Sequence, residues 1–148
     1  MHMLSELLPP HRVQLGLGAD EAVEAVAVVL ESLRGEPAVN DFAALGAVIA
    51  QRAAAEVDCG AARLLVAHGR TEAVQSLVLA AGRFDAAPGG IPLLVFTAGI
   101  PAAFQTDYLR VVGVIARVCR QTEGLAALLA APSPASFVGV LQEAEVSL

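Results

Sequence analysis

Apolar and polar residues alternate over residues 11–17. Val13, Leu15 and Leu17 fall on one face, and Arg12, Gln14 and Gly16 on the other. This period of two is that of a half-buried strand. Ahead of it, residues 1–10 read as an arm, either loose or coiled into a short helical turn that Pro9 and Pro10 stop. The period then lengthens. Ala22, Val23, Val26, Val29, Leu30 and Leu33 recur at helical spacing. Asp20 is the expected N-cap, Glu21 and Glu24 suit the positive end of the dipole, and Gly35 and Pro37 end the helix. A second helix, capped by Asn40, carries Phe42, Leu45, Val48 and Ile49 as its stripe, with Arg52 near its C-terminal end. Residues 53–62, "AAAEVDCGAA", have no clear period, and Gly60 marks a loop.

Three strands are expected next, over 63–67, 75–84 and 91–97, with "HGRTEA" between the first two and the turn cluster "DAAPGG" between the last two. A long helix over about 103–120 lines up Phe104, Tyr108, Val111, Val112, Ile115 and Cys119, and a short one covers about 123–130. The last helix starts with Ser133 as N-cap and Pro134 at its first position, and supplies Phe137, Val140 and Leu141 to the core. This order predicts an α/β layer domain, a mixed β-sheet of four to five strands flanked by helices. The short turns imply antiparallel pairing in part of it. Residues 11–148 are expected to form a single domain behind the 1–10 arm.

Composition narrows the chemistry. More than half of the chain is apolar, mostly alanine and valine, so the core should be built from small, closely packed side chains. The net charge is −6 and no basic stripe exists, which argues against nucleic acid as a partner. All nine cations are arginine, so no Schiff-base or P-loop lysine is available. Cys59 and Cys119 stand far apart, without metal-site spacing, and are expected as buried free thiols. The N-terminus lacks the basic and apolar regions of a signal peptide. The longest apolar run, "IPLLVFTAGIPAAF", is too short and too broken by Gly and Pro to span a bilayer. A soluble cytoplasmic protein without membrane insertion is expected.

One stretch stands apart. "LLVAHGR", residues 64–70, takes an apolar strand to its end at His68, followed by Gly69 and Arg70. Strand ends in α/β folds present reactive groups. Imidazole is nucleophilic near neutral pH. Gly69 lets backbone approach a ligand and can take a positive φ, and the forked Arg70 cation suits phosphate. Together they would suit acceptance of a phosphoryl group, which needs positioning and charge neutralisation. A hydrogen-bonded structural histidine is the other reading of the same residues. His2 and His11 read as surface residues. "GLGADE" ends in Glu21 and so departs from a dinucleotide fingerprint. No acid/base pair of carboxylates stands out, and Ser133 and Ser136 read as helix-start residues.

With "LLVAHGR" and this element order, the chain resembles the enzyme IIA domain of the bacterial phosphotransferase system, of the fructose/mannitol and nitrogen-regulatory type. In that family the segment ends in Ile-Ala-Ile-Pro-His, then Gly or Ala, then a basic residue. Here it is Leu64-Leu65-Val66-Ala67-His68-Gly69-Arg70. The family's Arg-Glu pair after the second helix is Arg52-Ala53, its Gly-rich stretch is "EVDCGAAR", and its second histidine is replaced by Tyr108. "IPLLVFTAGIPAAFQTDYLRVVGVIARVCR" resembles the family's apolar strand, Pro-containing loop and long helix, and "LLAAPSPASFVGVLQEA" its C-terminal helices.

The resemblance implies that His68 accepts a phosphoryl group from the histidine-containing phosphocarrier protein. Arg52 and Arg70 would balance its charge, Gly69 and Arg70 would hold the phosphate, and Tyr108 would donate a hydrogen bond where the family has a cation. No metal or organic cofactor is implied. A free-standing domain favours nitrogen-type regulation of a target protein over sugar uptake, and a small apolar-rich domain of this kind can form a homodimer. The alternative is a degenerate IIA-fold binding module that is no longer phosphorylated.

Overall fold

In the computed structural model, which describes residues 4–146, the apolar runs become strands buried on both faces. The elements are α1 (Leu4–Leu7), β1 (Val13–Gly18), α2 (Ala22–Leu30), α3 (Phe42–Ala50), β2 (Ala55–Asp58), β3 (Arg63–Arg70), β4 (Val78–Ala86), β5 (Leu93–Ile100), α4 (Gln105–Arg120), α5 (Thr122–Ala130) and α6 (Pro134–Val146). The strands form one mixed sheet in the order β1-β4-β5-β3-β2. β1 runs parallel to β4 and β3 parallel to β5, while the β4–β5 and β2–β3 pairs are antiparallel. Every residue of the central β5 is buried. Such strands lose the alternation of polar and apolar positions because helices cover both faces.

The pleat sorts side chains between two cores. Leu64, Leu79, Leu94, Phe96 and Ile100 pack with α1, α4, α5 and α6, whereas Leu65, Ala67, Val78, Phe84, Leu93 and Val95 pack with α2 and α3. No helix among the described residues is long and apolar enough to cross a membrane.

Several expectations shift locally. Gly16 takes φ 69°, and the pairing register with β4 slips between Gln14 and Leu17. This bulge turns Leu17 to the α2/α3 side, while Val13 and Leu15 stay on the other. Asp20 does not cap α2, whose N-cap is Glu21 without a side-chain bond. Asp41, not Asn40, caps α3 by accepting the Ala44 N–H at 3.1 Å, and Asn40 instead accepts from Gln75 Nε2 at 2.8 Å. The undecided 53–62 stretch holds β2, an exposed edge strand, and Gly60 turns at φ 82° after it. "DAAPGG" joins an antiparallel pair as expected, but "HGRTEA" does not, because β5 lies between β3 and β4. Ser133 caps α6, accepting the Ser136 N–H at 3.1 Å.

Leu4 and Leu8 are fully buried in the α4–α6 core, and the Leu4 N–H donates to Glu145 at 2.9 Å. Cys119 is buried, whereas Cys59, expected buried, is only half-buried in the turn after β2. His11 is exposed and bonds Glu36 at 2.7 Å; His2 lies outside the described residues.

Candidate active site at His68

β3 does not stop where the sequence suggested. Parallel pairing with β5 continues through His68↔Ala98, Gly69↔Gly99 and Arg70↔Ile100. His68 therefore stands inside the strand rather than at its end. The pleat places it on the same side as Leu64 and Val66, facing the long helix α4. There it meets Tyr108, in the first turn of α4, with ring centroids 5.2 Å apart and planes tilted by 35°. Forty residues of chain separate these two rings, and the crossing of α4 over the sheet brings them together.

The electrostatics favour a neutral imidazole. Partial burial of His68 disfavours the charged form, and the nearby Arg52 guanidinium adds to this, so its pKa lies below 6.5. Burial pushes the Tyr108 phenol up to about 12. It therefore remains protonated near neutral pH and can donate a hydrogen bond. Among the described residues none hydrogen-bonds the His68 ring, which leaves its nitrogens open to a ligand.

The other expected residues have different placements. Arg52 lies exposed in the turn between α3 and β2, and its charge reaches His68. Arg70 ends β3, exposed, two residues beyond His68 on the same face. The Arg52 charge adds to burial in lowering the His68 pKa.

Gly69 differs most from expectation. Its φ is not positive. It is buried on the opposite face of β3, where an added Cβ would lie 2.6 Å from Val48 Cγ1. Gly99 beside it on β5 has the same constraint, with Leu45 Cδ1 at 2.9 Å. The two glycines form a flat place on the sheet where α3 packs. Sequence reasoning found a glycine beside the histidine but had no signal for the helix above it. Leu109, next to Tyr108, is 60% exposed. Glu72, just past β3, accepts the Ala102 N–H at 3.2 Å and so ties the site's following loop to the approach to α4.

The fold, a mixed five-stranded sheet flanked by helices, is similar to that of solved phosphotransferase-system enzyme IIA domains. The nitrogen regulatory protein IIA-Ntr from Neisseria meningitidis superposes with a TM-score of 0.69 at 21% sequence identity, over 93% of this chain and 98% of that one. The mannitol-specific cryptic phosphotransferase enzyme IIA CmtB from Escherichia coli gives a TM-score of 0.67 at 16% identity, over 96% of this chain and 99% of that one. At these identities the similarity establishes the fold. No protein-family model and no curated protein matches the sequence.

Proposed function

We propose that this chain is a regulatory, nitrogen-type enzyme IIA-like protein that accepts a phosphoryl group on His68 from a histidine-containing phosphocarrier protein. In the transfer a phosphorus–nitrogen bond forms at an unprotonated His68 nitrogen as the corresponding bond to the carrier's histidine breaks. The observation that carries this reading is a half-buried imidazole with Tyr108 at 5.2 Å, its pKa held down by burial and Arg52, on a fold shared with IIA domains.

Each group has a role in the reading. Low basicity keeps the acceptor lone pair free. Arg52 and Arg70 balance the incoming charge. Tyr108 donates to a phosphate oxygen, and the N-terminal turn of α4 adds a favourable dipole. The exposed Leu109 offers an apolar contact for the carrier. The phosphorylation state would then set the binding of a cytoplasmic target protein, with homodimerisation open to the free domain. Nitrogen-to-nitrogen transfer calls for no organic cofactor.

A second reading has its own observation. Tyr108 cannot supply the positive charge that a histidine would, which favours a IIA-fold binding module without phosphotransfer. Intact mass at neutral or alkaline pH, after incubation with a phosphorylated carrier, separates the two. One added phosphoryl group on wild type, absent from His68→Ala, supports transfer. No addition with several carriers selects the binding module.

A further inference from the structure

On the far side of β3 from His68, an open cleft of about 390 Å³ runs between α2, α3 and the sheet, within the range of small-molecule sites. Val26 and Leu30 of α2, Ile49 of α3 and Leu65 of β3 make it apolar. Among the described residues its only charged members are Arg52 and Glu56. Glu56 is occupied by Arg63, 3.5 Å away. Arg52 has no ion-pair or hydrogen-bond partner among the described residues. An apolar trough therefore includes in its lining one arginine without an ion-pair or hydrogen-bond partner among the described residues.

These features specify a ligand. The apolar part needs an alkyl chain. Lining positions on α2 extend from Ala22 to Leu30, roughly 12 Å of helix, enough to accommodate an extended alkyl chain of about eight carbons. The guanidinium fork matches a carboxylate in two parallel hydrogen bonds. We propose that this cleft binds a small amphiphilic carboxylate, an alkanoate of about eight carbons, with its acid group on Arg52 and its tail between α2 and α3.

Occupancy would be felt on the other face of the sheet. Ala67 lines the cleft and the next residue is His68. Of the groups around His68, Ala98 on β5 is uncharged, Tyr108 on α4 stays protonated, Arg70 shares the strand, and Arg52 supplies the charge that acts on the ring. A carboxylate on Arg52 cancels that charge, so ligand binding raises the His68 titration midpoint. Under the phosphoryl-acceptor reading it also withdraws a cation from the phosphate; binding itself does not rest on that reading.

The test is calorimetric titration of the full chain with octanoate, octanol and butyrate, and needs no phosphocarrier. Octanoate is expected to bind one to one, with octanol and butyrate weaker by about tenfold or more, the scale of a lost charge-assisted hydrogen bond or several buried methylenes. Arg52→Gln should weaken octanoate by the same factor and leave octanol unchanged. Gly46→Leu blocks the cleft from within: a Cβ there would meet only Leu30 Cδ2, at 3.6 Å, and leucine is the better helix former. It should abolish binding while melting no lower than wild type. NMR of the His68 ring should show its midpoint rising with octanoate in wild type but not in Arg52→Gln. Absence of saturable octanoate binding, equal binding of octanol, or full binding by Gly46→Leu would overturn the site. An unmoved His68 midpoint with Arg52-dependent binding would overturn the coupling.

Discussion

Replacing Gly69 by alanine separates a packing role from a phosphate-binding one. The new methyl would sit 2.6 Å from Val48 Cγ1, 3.3 Å from Val48 Cβ and 3.4 Å from Ile49 Cγ1. Carbon–carbon contact is optimal near 3.5–4.0 Å, so the nearest approach is short by about 1 Å. Val48 cannot swing away cheaply, because a β-branched side chain in a helix has one strongly preferred rotamer. Overpacking of this kind costs about 1–3 kcal/mol. Alanine returns about 0.4–1 kcal/mol by restricting the unfolded chain, since φ here is not positive. The expected net loss is about 1–2 kcal/mol, read as a lower urea midpoint at constant m-value. Val48→Ala removes two half-buried methyls and should cost about 1 kcal/mol alone. In the double variant the new methyl occupies the vacated space, so the two losses should fall short of additive by at least about 1 kcal/mol. Strict additivity would refute the packing argument. The double variant also asks about function. If it recovers stability and is still phosphorylated, Gly69 serves the helix; if it recovers stability but not phosphorylation, Gly69 serves the phosphate.

Other outcomes follow from the same geometry. His68 should titrate below 6.5 by NMR, and Arg52→Gln should move the midpoint upward. Because folding depresses this pKa, the unfolded state binds the proton more readily. The His68 contribution therefore lowers stability as pH falls through 6.5, the loss levels off below the folded midpoint, and His68→Gln should flatten that part of the pH profile. Tyr108→Phe keeps the ring against His68 and should leave the melting temperature within a few degrees, yet slow phosphoryl transfer by removing the donor; unchanged transfer would make Tyr108 a packing residue only. Arg83 donates from Nη1 to the Leu128 and Ala131 carbonyls at the end of α5, at 2.9 and 2.8 Å, so Arg83→Met should cost about 2–3 kcal/mol in urea unfolding. Glu145, buried, accepts the Leu4 N–H at 2.9 Å and Arg110 Nη1 at 2.6 Å. Glu145→Ala should speed amide exchange over residues 4–8 before the rest of the fold is affected.

The hydrophobic periods carried most of the element types. Period two marked β1, period 3.6 marked α2 to α4, and Ser133-Pro134 marked the start of α6, because local burial and capping leave a direct trace in the order of residues. The same trace located His68 and, through the family resemblance, Tyr108. Strand order and facing are another matter. Periodicity records that a face is buried but not what covers it, so β5 lying between β3 and β4 was not legible in "HGRTEA". Nor was the bulge at Gly16, which swaps a face through one backbone angle. β2 escaped notice because all four of its residues are exposed at a sheet edge, where no alternation is required. β3 runs past His68 only because β5 pairs with it as far as Ile100. The sequence by itself determined the periods, the Ser133 cap and a histidine beside a glycine and an arginine. Tertiary packing decided that this histidine faces α4, that Tyr108 meets it, that the Arg52 charge reaches it, and that Gly69 makes room for α3. Those four outcomes depend on contacts between distant segments, and a contact forms only when both partners and the elements carrying them are in place.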